Sequence, residues 1–391
     1  MKSMENVDVE GKKVLLRVDL NSTVKQGRVK LTPRMKAHAK TIEELCERSA
    51  AVVVLAHQGR PGRDDFLHLE QHAEHLNHLL DRRVIFIEDI AGELAEKAVG
   101  ELQEEDVLLL DNVRMHDDEL AERSPEEHAV SELVQKLSSW CDLYVNDAFS
   151  VCHRNHASIT GFPQVMESAA GPVLEKDMEA IRNLEETRRP RQFVLGGNKP
   201  KDAVNVLHKV FEEDIADLAM LGGAPGEIFL QVQDKDLGPK ERDVSELEGK
   251  IQELLGGYGN KILLPEDLAY EKNRMREEVD VKSLPVREEV FDIGTETIEK
   301  FNSRLSDAET VVMNGPVGKF EDDNFSKGTE KIFERLKKLD KYVLIGGGDT
   351  SEAIEQLGFD IDEDYSHVSL AGGAFVKALL GEELVGMKAL R

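Results

Sequence analysis

Basic side chains recur in the first half of the chain, each just after an apolar run that is typical of a β-strand. Arg60 lies shortly after AAVVVLAH, Arg114 follows DVLLLDNV, and Arg154 lies shortly after DLYVNDAF. Ligands bind at the carboxyl ends of parallel strands, so these side chains are expected to meet at one sheet edge. A guanidinium is a planar fork of donors that suits phosphate and carboxylate. Any one of these arginines is more simply a surface ion pair, but their recurrence favours an anion site.

Further polar residues accompany these arginines at the same predicted edge. They are Asp19, Asn21, Arg34, His57, Asn112, His153 and His156. This concentration of Arg and His runs against the composition of the chain, which has 77 acidic and 50 basic residues and a net charge of −27. The first half therefore predicts a pocket for a small anion.

Glycines occupy the corresponding strand ends in the second half. They form the groups Gly196-Gly197, Gly222-Gly223, Asn314-Gly315-Pro316, Gly346-Gly347-Gly348 and Gly372-Gly373. Glycine lets backbone N–H groups approach a ligand closely, and helix N-termini add positive potential. Each group alone would be an ordinary turn, but their repetition along one edge favours a nucleotide polyphosphate. Asp349 is a hard oxygen ligand suited to the Mg²⁺ that accompanies ATP or ADP.

The glycine triplet belongs to neither common phosphate-binding motif. IGGGDT lacks the Lys-Ser/Thr that completes a P-loop. The chain also lacks the G-x-G-x-x-G with a downstream acid that a nicotinamide dehydrogenase would carry. An anion pocket and a nucleotide edge facing each other indicate phosphoryl transfer, which depends on positioning and on charge neutralisation by Arg, Lys, Mg²⁺ and backbone N–H groups.

The elements that must position these residues are apolar runs separated by helix-like segments. Runs of Val, Leu and Ile without polar alternation are typical of parallel strands covered on both faces. The predicted strands are 13–20, 50–57, 83–89, 106–113 and 142–149, then 192–197, 217–223, 261–267, 310–316 and 342–349. The fold class is therefore α/β, with two doubly wound parallel-sheet (Rossmann-like) domains joined by a hinge helix. The predicted domains are 1–170 and 191–373, with the hinge helix at 171–190.

Composition and charge exclude several classes of function. The strongly negative charge argues against a nucleic-acid partner, because phosphate backbones are bound by basic surfaces. The longest apolar run, residues 50–56, is too short to span a bilayer, which argues against a membrane role. No hydrophobic leader is evident, and Cys46, Cys141 and Cys152 form no CxxC pair or disulfide framework. A cytoplasmic protein acting on small molecules is expected.

Four histidines lie at helical spacing in FLHLEQHAEHLNHLL. They are His68, His72, His75 and His78. Histidines four residues apart can share a metal ion. A solvated helix face is the favoured interpretation, since no carboxylate or cysteine constellation completes a metal site. Cys152 adjoins the basic loop but lacks a partner for nucleophilic catalysis, so a packing role is expected.

The sequence resembles phosphoglycerate kinases from about Lys13 to the C-terminus. The matching blocks are RVDLN, HQGRP, LLDNVR, VNDAF, HRNHAS, FVLGGNK, LPED, DIG, NGPVGKFE, IGGGDTSEAI and HVSLAGGA. The resemblance implies reversible transfer of the acyl phosphate of 1,3-bisphosphoglycerate to ADP, which gives 3-phosphoglycerate and ATP in glycolysis and gluconeogenesis. It also implies a monomer in which transfer is direct and the domains close about the hinge. Segment 374–391 would return to the N-terminal domain.

The resemblance assigns roles to residues in both halves. The triose substrate would be held by Asp19, Asn21, Arg34, His57, Gln58, Gly59, Arg60, Arg114, His153 and Arg154. The nucleotide would contact Gly196, Gly197, Lys199, Gly294, Asn314, Pro316, Glu321, Gly347, Gly348, Asp349 and Thr350. Arg34, Lys199 and Gly347 would act in catalysis. Glu321 would bind the ribose hydroxyls, and Asp349 would bind Mg²⁺.

Departures from the family pattern concern mainly the nucleotide side. The family commonly reads GG-x-K-x-x-x-K, whereas GGNKPKDA places Ala203 at the second lysine. Lys201, two residues earlier, is an alternative cation. Met313 stands where the family usually has Trp. These differences indicate a divergent branch, archaeal or halophilic, and leave a non-catalytic nucleotide-binding relative as the alternative function.

Overall fold

The chain folds into two compact units. The computed structural model describes residues 1–240 and 242–391. Unit 1 consists of Met1–Glu179 and Gly381–Arg391, and unit 2 consists of Ala180–Leu380. Each unit contains a six-stranded sheet. All neighbouring strands in both sheets are parallel, which confirms the predicted α/β class.

Unit 1 is built on a parallel sheet with helices between its strands. Its strands are β1 (Lys13–Arg17), β2 (Val24–Lys25), β3 (Arg28–Val29), β4 (Ala51–Leu55), β5 (Val84–Ile87), β6 (Val107–Leu110), β7 (Leu143–Asn146) and β8 (Ser168–Ala170). The sheet order is β5-β6-β4-β1-β7-β8, and β2 pairs with β3 as a separate hairpin. Its helices are α1 (Pro33–Glu47), α2 (Glu70–Leu79), α3 (Glu93–Glu101), α4 (Pro125–Ala129) and α5 (Glu132–Trp140). Helix α6 (Pro172–Arg182) begins in unit 1 and ends in unit 2, because the boundary falls after Glu179.

The apolar strands of unit 1 form its core. Leu16, Val52, Leu109 and Val145 are fully buried in one hydrophobic cluster. Burial of consecutive residues on both faces of the sheet explains why these strands show no polar alternation. Helix α1 begins at Pro33, whose fixed φ suits the first turn of a helix.

Unit 2 repeats the design with a second parallel sheet. Its strands are β9 (Arg191–Leu195), β10 (Leu218–Leu221), β11 (Ile262–Leu263), β12 (Asp267–Lys272), β13 (Met275–Asp280), β14 (Val290–Ile293), β15 (Thr310–Asn314), β16 (Tyr342–Gly346) and β17 (His367–Ser369). The main sheet has the order β11-β10-β9-β15-β16-β17. After β9 the chain forms β10 on one side of β9, and later it forms β15 on the other side. The junction between β9 and β15 is therefore a topological switch point.

Helices of unit 2 separate these strands, and one further helix closes the chain. They are α7 (Pro200–Glu212), α8 (Gly223–Val232), α9 (Glu248–Tyr258), α10 (Thr295–Leu305), α11 (Lys327–Lys337), α12 (Gly348–Gln356) and α13 (Gly373–Leu379), followed by α14 (Val385–Ala389) in unit 1. Among residues 1–240 and 242–391, no helix has both the length and the apolar character needed to cross a membrane.

The structure also contains an antiparallel sheet of order β13-β12-β14, which the sequence did not predict. The segment 261–267 was expected to be one strand, and this is wrong, because β11 ends at Leu263 and β12 begins at Asp267. The β12–β13 hairpin turns at Asn273 and Arg274, which both have positive φ. Asn tolerates this conformation better than most residues, so the turn had a weak sequence signal.

The predicted helix at the connection between the units is too long. Helix α6 ends at Arg182, and a tighter 3₁₀ turn follows at Asn183–Glu186. Asn is a weaker helix former than the Ala, Glu and Lys that precede it. The chain rejoins unit 1 at Gly381, whereas the sequence placed this boundary after residue 373. Within unit 1, the Gly386 N–H donates to the Cys152 carbonyl at 2.8 Å.

The predicted solvated histidine face is only partly correct, because His68 and His78 are exposed whereas His72 and His75 are not. His72 is fully buried. His75 lies 2.9 Å from the Val29 carbonyl through its Nε2 atom. His68, which lies just before α2, is exposed and pairs with Asp111, and His78 is exposed as well. Among the residues that the structure describes, no group of three or more potential ligands is placed to hold a metal ion.

Candidate active site

Asp19 lies at the centre of the anion pocket of unit 1, just beyond β1. Its carboxylate accepts hydrogen bonds from the Asn21 N–H at 2.9 Å and from the Ser150 hydroxyl. It also lies 3.2 Å from Arg34 Nη1. Burial would raise the pKa of Asp19, but the Arg34 charge and these hydrogen bonds outweigh it and hold the pKa well below its usual value. Asp19 is therefore a fixed anion that orients the surrounding basic groups.

His57 is a buried neutral ring at the end of β4. Burial, together with neighbouring arginines, lowers its pKa well below the ordinary value, although Asp19 opposes this effect. Its Nδ1 lies 3.3 Å from Arg17 Nη2. Because a guanidinium can only donate, Nδ1 is the acceptor and Nε2 carries the proton. His57 can therefore donate one hydrogen bond to an anion.

Arg114 joins the loops after β4 and β6. Its Nη1 donates to the Gly59 carbonyl at 2.5 Å, while its buried Nε has no hydrogen-bond partner within the described chain. Burial and the nearby Arg17 charge lower the pKa of Arg114 to about 10, so it remains a cation at neutral pH. Gly59 itself has φ +65°, and a Cβ there would lie 2.3 Å from the Asp65 carbonyl oxygen. Only glycine fits this turn.

The remaining predicted residues of the pocket differ in how far they are buried and in what they contact. Asn21 accepts the Gly59 N–H through its Oδ1 at 2.8 Å. Arg60 and Arg154 are exposed, and His153 is half-buried. Gln58 is fully buried, and its amide bonds to other protein groups. The structure thus joins Asp19, Asn21, Arg34, Gly59 and Arg114 in one hydrogen-bonded network. The neutral His57 ring lies beside it, with Nδ1 3.8 Å from the Asp19 carboxylate.

A buried charged layer that the sequence analysis missed supports this network. Arg17 is fully buried, and its Nε donates to the Ser158 hydroxyl at 2.8 Å. The Ser158 hydroxyl and N–H both donate to Glu119, each at 2.8 Å, and Arg17 lies 4.0 Å from Glu119. The available signal was an arginine inside the otherwise apolar run KVLLRVDL. A buried charge requires such partners, so Arg17 was identifiable as a special position.

The glycine loops of unit 2 meet at its topological switch point. The Gly196 N–H donates to the Asn314 carbonyl at 2.9 Å, and the Gly197 N–H donates to the Pro316 carbonyl at 2.7 Å. A Cβ on residue 196 would lie 2.3 Å from the same Pro316 oxygen. Two loops can approach this closely only when the residue between them lacks a side chain.

The triplet loop packs against the same junction. Thr350 is fully buried, and its hydroxyl donates to the Gly346 carbonyl and accepts the Gly315 N–H, each at 2.9 Å. Gly347 has φ +113°, and a Cβ there would lie 2.9 Å from Asn314 Oδ1. The following residues, Gly348 and Asp349, form the first turn of α12. The loops after β9, β15 and β16 thus form one rigid platform beside a helix N-terminus.

A cleft of ≈ 490 Å³ adjoins this platform. Four predicted nucleotide residues line it, namely Gly197, Pro316, Glu321 and Asp349. This volume is in the range of small-molecule sites. Sequence reasoning missed two further lining residues, Lys319 and Phe291, whose ammonium and ring centre lie 4.9 Å apart. It also missed the Arg242–Glu227 ion pair at 2.8 Å, which lines the same cleft.

Three positions near the start of α7 bear on the predicted phosphate-binding lysines. Lys199 is exposed and precedes the first turn of α7. Lys201 lies 3.4 Å from Glu246, with both side chains mostly exposed. Ala203 is buried on the inner face of α7. A lysine side chain at position 203 would therefore emerge from the buried face of α7. The exposed candidates for a phosphate-binding lysine are Lys199 and Lys201.

Gly294 lies outside the part of the cleft that the described residues line. It precedes α10, and a Cβ there would lie 2.2 Å from the Asp267 carboxylate. Asp267 caps that helix by accepting the N–H groups of Glu296 at 3.0 Å and Thr297 at 2.8 Å. The need for glycine at position 294 is therefore explained by its close contact with Asp267 at the start of α10.

The residues present fit a magnesium ion bound together with a nucleotide. Asp349 is exposed at the edge of the cleft, in the first turn of α12. Mg²⁺ is usually held by one or two carboxylates, with phosphate oxygens and water completing its shell. A single carboxylate beside the glycine-loop platform would meet this requirement if a polyphosphate binds there.

The sequence matches the family described as Phosphoglycerate kinase over residues 4–382. The chain is 41% identical over 399 residues to a phosphoglycerate kinase of Haloarcula marismortui, with 100% of this chain and 99% of the relative covered. It is 39% identical over 395 residues to a phosphoglycerate kinase of Methanopyrus kandleri, with 99% and 97% covered.

Solved structures show the same likeness. The crystal structure of phosphoglycerate kinase from Pyrococcus horikoshii OT3 matches with a TM-score of 0.95 and 34% identity, covering 100% of this chain and 98% of that one. The structure of phosphoglycerate kinase from Coxiella burnetii matches with a TM-score of 0.78 and 29% identity, covering 99% and 98%.

Proposed function

Because the chain belongs to the phosphoglycerate kinase family, we propose that its two sites bind the two substrates of that reaction. Unit 1 would bind 3-phosphoglycerate or 1,3-bisphosphoglycerate, and the cleft of unit 2 would bind ADP or ATP. The chain is a phosphotransferase with a role in glycolysis, as its full-length likeness to named kinases indicates. This likeness also disfavours a non-catalytic relative.

The observation that carries the substrate assignment is the bonded network around Asp19. A buried carboxylate holds Arg34 at 3.2 Å, and the adjoining loops supply His57 and Arg114. This combination offers both charge and directed N–H donors to an anion with several oxygens. Arg60 and Arg154, which are exposed, would add further charge when substrate binds.

Catalysis would depend on positioning and charge. Arg34 lies in the first turn of α1, where the helix N-terminus adds positive potential for the transferring phosphoryl group. Gly347 would let a backbone N–H approach the same group, and Lys199 would neutralise the nucleotide phosphates. Transfer would be direct, since phosphoryl transfer between bound substrates needs no covalent enzyme intermediate.

The nucleotide would lie on the platform with its phosphates toward α7 and α12. Glu321 would accept hydrogen bonds from the ribose hydroxyls, and Asp349 would hold Mg²⁺. The metal, when bound, would neutralise phosphate charge. Gly196, Asn314, Gly348 and Thr350 would shape the platform, whereas any effect of Gly294 would be indirect, through its packing at the start of α10.

We also propose a cytoplasmic monomer. Cys46, Cys141 and Cys152 are buried free thiols, which is compatible with a reducing compartment. Burial raises the pKa of the Cys152 thiol to about 12, which supports a packing role.

A coupled turnover assay tests the proposed activity. The purified chain would be given MgATP and 3-phosphoglycerate, and formation of the acyl phosphate would be followed in low and in molar KCl. The salt series matters because a net charge of −27 is self-repelling at low ionic strength. Turnover in either condition supports the proposal, and its absence in both would refute it.

A further inference from the structure

The buried amide of Gln58 joins two loops of the anion pocket. Its Oε1 accepts the Ser22 N–H at 2.8 Å. Its Nε2 donates to the Ser22 carbonyl at 3.0 Å and to the Asp65 carbonyl at 3.2 Å. The loop after β1 is therefore held to the loop after β4 by a reciprocal pair of hydrogen bonds. These two loops also carry Asp19 and His57.

The fourth bond of this amide comes from the histidine-bearing helix α2. His72 Nε2 lies 3.1 Å from Gln58 Oε1. An amide oxygen only accepts, so the histidine donates and its proton lies on Nε2. Both donors and both acceptor positions of the Gln58 amide are then used inside the protein. The Gln58 side chain has no remaining capacity for a ligand, so its contribution to binding is indirect.

His72 is well suited to hold Gln58 in place. It is fully buried, and burial lowers its pKa to about 4, so the ring stays neutral at neutral pH. The helix is fixed at its start, because the Leu69 N–H donates to the Asp111 carboxylate at 3.0 Å. Asp111 directly precedes the loop of Arg114, and Asn112 donates to the Gln58 carbonyl at 2.8 Å.

We propose that His72 is a positioning residue for the anion site of unit 1. Acting through Gln58, it fixes the loop of Asp19 and Asn21 against the loop of His57 and Gly59. The Asn21–Gly59 bond at 2.8 Å depends on the same alignment. The inference rests on the proposed function for the identity of the anion, 3-phosphoglycerate.

The test compares His72→Leu with His72→Gln and with His78→Leu. Leucine removes the donor, whereas glutamine places an amide nitrogen near the former Nε2 position. His78 is an exposed residue of the same helix. We expect His72→Leu to raise the KM and the calorimetric Kd for 3-phosphoglycerate by about tenfold, because Gln58 Oε1 loses one of its two buried hydrogen bonds and the amide is held less firmly. We expect KM for MgATP to stay within about twofold.

Rescue by His72→Gln and near-wild-type constants for His78→Leu would support the inference. A rise in both KM values for His72→Leu, or unchanged 3-phosphoglycerate binding in a folded variant, would overturn it. A double-mutant cycle with Gln58→Met separates positioning from general packing. If His72 acts through Gln58, the double variant binds 3-phosphoglycerate no more weakly than Gln58→Met, and additive losses would contradict this.

The proposal can also be tested without His72→Leu, and separately from the proposed function. If His72→Leu does not fold, His72→Gln and Gln58→Met carry the comparison, and equal 3-phosphoglycerate affinity for Gln58→Met and wild type would overturn the proposal. Wild-type turnover tests the proposed function by itself. Binding measured by calorimetry tests positioning, so the two failures are distinguishable.

Discussion

The carboxylate of Asp19 and the guanidinium of Arg34 lie 3.2 Å apart, between the end of β1 and the first turn of α1. Arg34 Nη1 also donates to the Asn21 carbonyl at 2.9 Å. These two contacts fix the guanidinium at a helix N-terminus, where the peptide dipoles already favour negative charge. The arginine is thus oriented before an anion arrives, which lowers the cost of ordering it during binding.

Replacing Arg34 by Ala should lower kcat by about 100-fold or more, because it removes a fixed charge from the transferring phosphoryl group. MgADP affinity should change by less than about twofold, since Arg34 belongs to unit 1 and the nucleotide cleft to unit 2. Steady-state kinetics and calorimetry measure the two effects. Arg63→Ala is the matched control, because Arg63 is exposed in the same unit. Parallel losses of kcat and MgADP affinity would show that the assignment of sites is wrong.

Lys199 and Lys201 should differ in their effect on turnover. Lys201 forms an exposed pair with Glu246 at 3.4 Å, and such pairs contribute only about 0–1 kcal/mol. We expect Lys199→Ala to lower kcat by at least about tenfold, through loss of charge beside the phosphates, and Lys201→Ala by less than about threefold. The kinetics of both variants provide the check. A larger loss for Lys201→Ala would identify Lys201 as the substitute for the lysine absent at Ala203.

The strand ends of both sites were predictable, and the reason is physical. Strands buried on both faces must be apolar along their length, so their ends are visible in the sequence. Parallel order then requires their carboxyl ends to share an edge. Asp19, His57 and Arg114 meet in the structure for this reason, as do the loops of Gly196 and Asn314.

The supporting contacts could not be predicted in the same way. The partner of Arg17 is Ser158, which is 141 positions away, and no periodic pattern links them. His72 appeared to belong to a polar helix face because its partner Gln58 lies on a different loop. Phe291, which lines the cleft, lies on β14 of the antiparallel sheet; β14 has only four residues and β13 of the same sheet is mostly charged, so neither gives a long apolar run. These contacts depend on strand register and on pairing between residues that are far apart in the sequence, which local patterns do not specify.

Asp349→Asn should weaken MgADP binding by about tenfold or more, because a neutral amide is a poorer ligand for a hard cation. Binding of ADP in the presence of a chelator should change by less than about twofold. Calorimetry with and without Mg²⁺ separates the two quantities. Asp340→Asn, an exposed position after α11, is the control. Equal weakening with and without metal would show that Asp349 does not hold Mg²⁺.

Gly347→Ala should damage the nucleotide platform. Its φ of +113° is strained for alanine, and the added Cβ would lie 2.8 Å from Thr350 Oγ1. We expect MgADP affinity to fall by at least about tenfold, together with a lower Tm. Gly358→Ala is the control, since Gly358 has φ +82° with nothing within 4 Å of a new Cβ. Similar MgADP affinity in both variants would contradict the role of this close approach.

The contribution of the buried Asp292 carboxyl group to the stability of unit 2 should become more favourable as the pH falls toward 4. Asp292 lies 2.8 Å from Arg276 and accepts the Gly328 N–H at 2.8 Å. Burial nevertheless raises its pKa to about 6, above the value of 3.8 for an exposed carboxyl group. Above pH 6 the folded state therefore holds a charge that the unfolded chain would hydrate better.

Protonation removes this penalty as the pH falls through the folded pKa. The apparent free energy of unfolding of the wild type, relative to Asp292→Asn, should therefore rise by up to about 3 kcal/mol between about pH 7 and pH 4. Urea unfolding at each pH measures this difference, and the comparison cancels the repulsion among surface charges that both proteins share. Asp307→Asn, at an exposed position, should give a flat difference. A flat or falling difference for Asp292→Asn would show that the Arg276 pairing dominates burial.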